Sequence, residues 1–420
     1  MKKIYQSIVI FLLLIETNFF SLIKLPSFIS ALTSYHTKQL TLIVCLFSFV
    51  LWFLFEKMSR HTVVRYYNPP IVIFLFSTVV ISIMSMLIYN QSILSVLRVS
   101  YFYYIIILFY FLSYFCWKDK RNYHFLINSI ILFGTIYSIL LIVQYLFFKS
   151  GLNAFLLFDD ENLVVLSKSI NPRIARPADF IAFSSVLLFS KIVSGNAFNK
   201  SKMKLWIPLL VELIYILLVS QTRMYIIALL FSFSISILFI KRRNQGIHIV
   251  VYIILVPVIF LMANDALSKF FSSFMTGDRV SSTLIRSQEI WFYSRQIFSN
   301  GIFGRGFIDI SSPDYVPLNH GPFGTYNTSD IGIIGFLSIY GLCGGLFLVL
   351  IIWKLIKTLK NNKENALQLK SIELITLCPY FLLISLTLFY TDIQRIVYLP
   401  IILTIFEFAH KESIEKARDS

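Results

Sequence analysis

The feature that most constrains this chain is a succession of apolar runs, each about 17 to 25 residues long, separated by short charged segments. About 20 residues at 1.5 Å rise cross the hydrocarbon core of a bilayer, so each run has the length of a spanning helix. Twelve such runs lie near residues 4–23, 39–55, 70–89, 100–117, 124–148, 180–195, 205–220, 223–240, 247–263, 327–352, 371–390 and 393–410. The sixth and seventh are short. The first also has the length of a signal peptide, but no small-residue cleavage site follows it, so it reads as an uncleaved helix. Composition agrees: of 420 residues, 57% are hydrophobic and 14% charged, too few charges for a soluble chain of this size. The expected fold is an all-α polytopic membrane protein of about 12 transmembrane helices, with residues 1–420 forming a single integral membrane domain.

Lysine and arginine give the orientation. With the N-terminus in the cytoplasm, 23 of the 37 basic residues fall in inside segments. The short outside loops hold only Lys24, Lys38, Arg98, Arg223 and Arg395. This alternation predicts both termini in the cytoplasm. The other basic residues sit in two long extracytoplasmic loops, 149–179 and 264–326, of 31 and 63 residues. Loops so long escape the charge rule and exceed ordinary connections, which points to a functional role. The net charge of +16 is spread among loops rather than massed on one face, which argues for topology and anionic lipid, with no nucleic acid partner. Cys45, Cys116, Cys343 and Cys378 all fall inside apolar runs, so no disulfide framework is expected.

The second long loop carries the chemistry. Residues 284–298, LIRSQEIWFYSRQIF, read as a helix on which Arg286, Glu289, Tyr293 and Gln296 form one polar stripe at i, i+3, i+7 and i+10. Ile290, Trp291, Ile297 and Phe298 occupy other faces. Such a helix would lie along the outer membrane surface with its stripe towards a cavity; packing for structure alone is the other reading. SNGIFGRGF, residues 299–307, then ends it. Gly301 is a helix stop, while Gly304 and Gly306 allow a sharp turn or a close approach to a ligand. The spacing is not that of a dinucleotide or phosphate loop, and no strand precedes it.

Arg305, Asp309, Asp314, His320 and Asp330 follow. Arginines with a histidine in one outside loop suit an anion, since guanidinium binds phosphate in a bidentate manner. A solvated histidine is the plainer reading of His320. No Cys/His cluster or HExxH points to a metal. Arg223, after SQT at the outer start of a helix, and Arg176, in RPADF, sit at comparable depth; each is a polar-cavity residue or an interfacial anchor.

In this order the motifs resemble the O-antigen ligase/polymerase superfamily, the Wzy/WaaL type of bacterial membrane glycan enzymes. SQTRMYIIALLFSFSISI is similar to its small-residue–Arg helix start, IRSQEIWFYSRQIFSNGIFGRGF to its large-loop segment, and SDIGIIGFLSIYG to the helix that follows. Arg295 and Gly306 fit the RX10G spacing of the polymerases; Arg173 and Arg176 do not, since Ser184 and Leu187 stand where glycine would. The histidine that many relatives place directly before the post-loop helix is NTSD here, with His320 further upstream.

The resemblance implies a metal-independent membrane glycosyltransferase of the bacterial cytoplasmic membrane, acting on its extracytoplasmic face without a cofactor. Its partners would be undecaprenyl-diphosphate-linked repeat units, with a chain-length regulator and a flippase of the same pathway. Arg176, Arg223, Arg286 and Arg295 are expected to hold the diphosphate, with Arg305, Tyr293, Gly304 and Gly306 at the substrate. His320, or else Asp330, is expected to act as base. The product would be an O-antigen, capsule or exopolysaccharide. The alternatives are a ligase transferring finished glycan to another acceptor, and a twelve-helix transporter or flippase with Glu212 in the seventh run as its intramembrane carboxylate.

Overall fold

The computed structural model describes residues 2–17, 38–59, 64–149, 164–165, 173–174, 177–194, 203–239, 278–361 and 369–419. Helices dominate these residues. In chain order they are α1 (Lys2–Glu16), α2 (Gln39–Ser59), α3 (Asn68–Ile88), α4 (Ile93–Lys118), α5 (Lys120–Lys149), α6 (Ala178–Val193), α7 (Trp206–Ser220) and α8 (Arg223–Phe239). They continue with α9 (Asp278–Gln296), the short α10 (Tyr315–Asn319), α11 (Gly332–Asn361), α12 (Leu369–Thr387) and α13 (Tyr398–Asp419). Their starts follow local chemistry. Two prolines sit in the first turn of α3, where their missing N–H groups cost nothing. Ser92 caps α4 by accepting the Ser95 N–H at 3.2 Å.

Burial is that of a membrane protein. Ile43, Phe47 and Phe53 on α2, Phe76 and Leu87 on α3, and Val349 and Trp353 on α11 all face outward. Apolar surface on this scale requires a lipid partner. The centre of the bundle holds α6, buried along almost its whole length, and the first three turns of α13.

Among the described residues, five helices are long and apolar enough to cross a membrane: α2, α3, α4, α5 and α11. α7, α8 and α12 are apolar but shorter. α6, with 16 residues, spans about 24 Å, less than the roughly 30 Å of hydrocarbon. The expected run at 247–263 lies outside the described residues, as does most of the first long loop. Of that loop Val164–Val165 and Arg173–Ile174 pair as a two-residue antiparallel ladder.

Segments that the charge rule puts on one side meet one another. Glu16, at the end of α1, accepts from the Lys38 ammonium at 2.9 Å. Residues 305–329 and 389–393 line one cavity. At the other end Tyr66 and Tyr67 donate their N–H groups to Glu407 of α13, and Lys120 pairs with Glu412 at 3.3 Å. The bundle therefore has two chemically distinct ends.

Candidate functional site

α11 is broken at Gly341, whose φ of 57° and ψ of −141° interrupt the helical ladder. A break of this kind leaves carbonyl and N–H groups without their intrahelical partners, and buried backbone groups must find others. SNGIFGRGF supplies them. The N–H of Arg305 donates to the Ser338 carbonyl at 2.8 Å and that of Gly306 to the Ile339 carbonyl at 3.1 Å, while Leu342 donates to the Ile302 carbonyl at 2.8 Å. The two backbones touch at Gly304. A Cβ there would stand 2.7 Å from the Gly341 nitrogen and from the Ser338 oxygen, and its φ of +63° is left-handed as well. The close approach that Gly304 permits is thus to α11, while Gly306 packs on Ser85 of α3.

α3 fixes the other side of the loop. Ser85 Oγ accepts the Phe307 N–H at 2.8 Å, Tyr89 donates to the Arg305 carbonyl at 2.7 Å, and Gln91 bonds both the Phe307 carbonyl and the Asp309 N–H. So clamped, Arg305 points inward with 2% of its surface exposed. Its Nη1 donates to Gln296 Oε1 at 3.1 Å and to the Leu318 carbonyl at 2.5 Å, and its guanidinium lies 5.1 Å from the Tyr293 ring centre. These partners are all neutral, and Nε has no hydrogen-bond partner among the described residues. Burial pulls the Arg305 pKa below its usual value, and burial pushes the Tyr293 phenol up to about 12.

Arg305 lines a cavity of about 310 Å³. Gly306, Tyr315, Asn319 and His320 share its wall; Phe102, Tyr103, Phe336 and Phe389 supply apolar and aromatic surface; Thr391 and Asp392 add polar groups from the turn before α13. His320 Nδ1 lies 2.9 Å from the Tyr326 carbonyl. A carbonyl only accepts, so Nδ1 donates to it. The arrangement offers a buried cation without a carboxylate partner, a histidine held through Nδ1, and aromatic faces. It can bind an anion joined to a less polar group.

The polar stripe of α9 builds this wall from behind. Tyr293 donates to the Asn319 carbonyl, Gln296 Nε2 to the Leu318 carbonyl at 3.1 Å, and Glu289 accepts the Asn327 N–H at 2.9 Å. Burial raises the Glu289 carboxyl, with the Asn327 N–H opposing. The fourth member, Arg286, is exposed, and so is Arg295, whose guanidinium stacks 3.4 Å above the Trp291 ring. Neither reaches the cavity. Arg223 opens α8, partly buried, and does not line it either. Asp330 ends the turn Thr328–Asp330 behind the cavity rim, within electrostatic reach of Asp392. Arg176 lies outside the described residues.

Of the expected site residues, Arg305, Gly306 and His320 therefore come together, with Tyr293 and Gly304 as supports. Asp392 was not anticipated. Its signal in the sequence is TDIQR: an aspartate and an arginine three residues apart, in a short turn between two apolar runs. Glu212, the expected intramembrane carboxylate, lies away from this cavity, fully buried and hydrogen-bonded to Ser184, Ser185 and Thr135 at 2.8–3.0 Å.

No protein-family model matches the chain, and a search of curated proteins finds no match. Among the described residues, no group of three or more His, Cys, Asp or Glu side chains is placed to hold a metal ion. The class that fold and site define is accordingly a helical membrane protein with a polar cavity at one end of its bundle.

Proposed function

We propose that this protein is a glycan polymerase of the bacterial cytoplasmic membrane. It transfers a glycan from an undecaprenyl-diphosphate-linked donor to a lipid-linked repeat unit on the outer face. The observation that carries the reading is Arg305: a buried guanidinium with only neutral partners, on the wall of a cavity that also holds His320 and aromatic side chains. A buried cation without a counter-ion is costly, and an anionic ligand removes that cost. A diphosphate leaving group gains negative charge as its bond to the sugar breaks, and a preorganised cation in a low-dielectric site stabilises that charge strongly. The aromatic walls suit the apolar faces of a sugar ring.

In this reading Arg305 holds the diphosphate, with Asn319 and His320 beside it, and α9 braces them. Arg286 and Arg295 lie on the outer face of α9, where a stacked Trp291–Arg295 pair suits the headgroup layer. The substrates arrive from the bilayer, and a flippase and a chain-length regulator are the partners the reaction calls for. The test is incubation of the purified protein, in liposomes, with undecaprenyl-diphosphate-linked repeat units alone. Chain growth is the expected result. Growth only when a different acceptor is added makes the protein a ligase, and no transfer to any acceptor removes the glycan reading.

A further inference from the structure

The cavity also holds a charged group that belongs neither to the long loop nor to the expected residues. Asp392 lies in the turn between α12 and α13 with 18% of its side chain exposed. Arg395 Nη1 holds its Oδ2 at 2.7 Å from below, itself 9% exposed. The turn is rigid: the Asp392 carbonyl accepts the N–H groups of both Arg395 and Ile396 at 2.9 Å. Tyr103, on the cavity wall, lies within electrostatic reach of both Asp392 and Arg305. The two charges thus belong to one cavity, yet they come from segments far apart in the chain.

We propose that Asp392 is the catalytic base that takes the proton of the acceptor hydroxyl, an assignment that rests on the glycan-transfer reading. In the step, the acceptor oxygen forms a bond to the anomeric carbon and its proton passes to the Asp392 carboxylate. The bond from that carbon to the diphosphate oxygen breaks, and the electron pair leaves on the diphosphate held by Arg305. An in-line displacement needs its base and its leaving-group site on different sides of the sugar. His320 is tied to the Arg305 side, because Arg305 itself bonds the Leu318 carbonyl two residues away. Asp392 lines the same cavity from a different segment, the turn before α13, where Arg395 holds its carboxylate. Asp330, the second expected base, does not line the cavity.

The groups facing Asp392 are Arg395 on its own turn, Asp330 before α11, Asp179 at the start of α6, and Tyr103 of α4. Tyr225 of α8 lies beyond Arg395. Burial raises the Asp392 carboxyl, Arg395 opposes this, and Asp330 and Asp179 add to it. A base must be deprotonated, so turnover falls on acidification at a pH above the ordinary carboxylate value of about 3.9.

The experiment uses the full-length protein in nanodiscs with undecaprenyl-diphosphate-linked repeat units. The wild type should grow chains and show that acidic limb. Asp392→Asn should slow growth about 10²- to 10⁴-fold and abolish the limb, while binding of undecaprenyl diphosphate changes less than about threefold. Because this substitution strips Arg395 of its counter-ion, Asp392→Asn with Arg395→Gln is measured beside it and should show the same loss. A wild type that grows no chains overturns the glycan reading and the assignment with it. A wild type that grows chains without an acidic limb, or either variant retaining more than a tenth of the rate, overturns the assignment alone.

Discussion

At the end of the bundle where residues 65–67 join α2, α11 and α13, the charges drawn inward lie near opposite charges. Arg65 pairs with Glu56 at 3.0 Å; Glu407 accepts the Tyr66 and Tyr67 N–H groups at 2.8 Å each and lies within electrostatic reach of Arg65 and of Lys354, which itself donates to the Tyr66 carbonyl at 2.6 Å. At the opposite end Arg305 is equally buried and meets only neutral partners. The first set ties a chain segment to three helices. The second presents a cation to a cavity large enough for a ligand. The charges of the first set sit beside opposite charges, whereas Arg305 has no counter-charge among its hydrogen-bond partners. That contrast sets Arg305 apart from the scaffold charges at the other end.

The contrast can be broken most decisively at Arg305. Arg305→Gln should lower chain growth about 10²- to 10³-fold, as loss of a preorganised donor to a developing anion does, without lowering thermal stability. If the variant is active, or if it unfolds, Arg305 belongs with the scaffold charges. Glu407→Ala should do the reverse. It strands two buried N–H groups at about 1–3 kcal/mol each, so thermal unfolding of the purified protein should drop clearly while the folded fraction keeps its turnover.

Gly304→Ala tests the link between the two regions. The left-handed φ alone should cost roughly 1–3 kcal/mol, and contact with the α11 backbone adds to this, so both stability and activity should fall. The smallest effect is expected for Arg295→Ala, which removes an exposed stacked cation: less than about threefold on turnover, measured in the same liposome assay. A loss as large as that of Arg305→Gln would move the anion site to the outer face of α9.

Much of this was legible in the sequence, for physical reasons. Apolar runs must become helices in lipid, and the stripe of Glu289, Tyr293 and Gln296 turns inward because its polar groups find backbone partners there. The glycine loop was legible as a close approach, though its partner, a broken helix 37 residues further on at Gly341, was not. Arg295 was placed at the diphosphate by its spacing to Gly306. Its spacing to Trp291, four residues and so one helical turn, puts it on the apolar face, and that local rule prevailed. Nothing in the local sequence says which way Arg305 of the turn points; Ser85 of α3, with Tyr89 and Gln91 just beyond its end, decides it. Asp392 was hidden because the other residues that line its cavity lie far away in the chain.

The central claim is that Arg305 awaits a lipid-linked diphosphate. It is tested most directly by the affinity of undecaprenyl diphosphate for the purified protein in nanodiscs, measured for wild type and Arg305→Gln at the same salt concentration. A charged hydrogen bond lost from a buried site corresponds to about 1.5–3 kcal/mol, so the account predicts binding to the wild type and a weakening of about 10- to 100-fold in the variant. Equal affinity for the two proteins would contradict it.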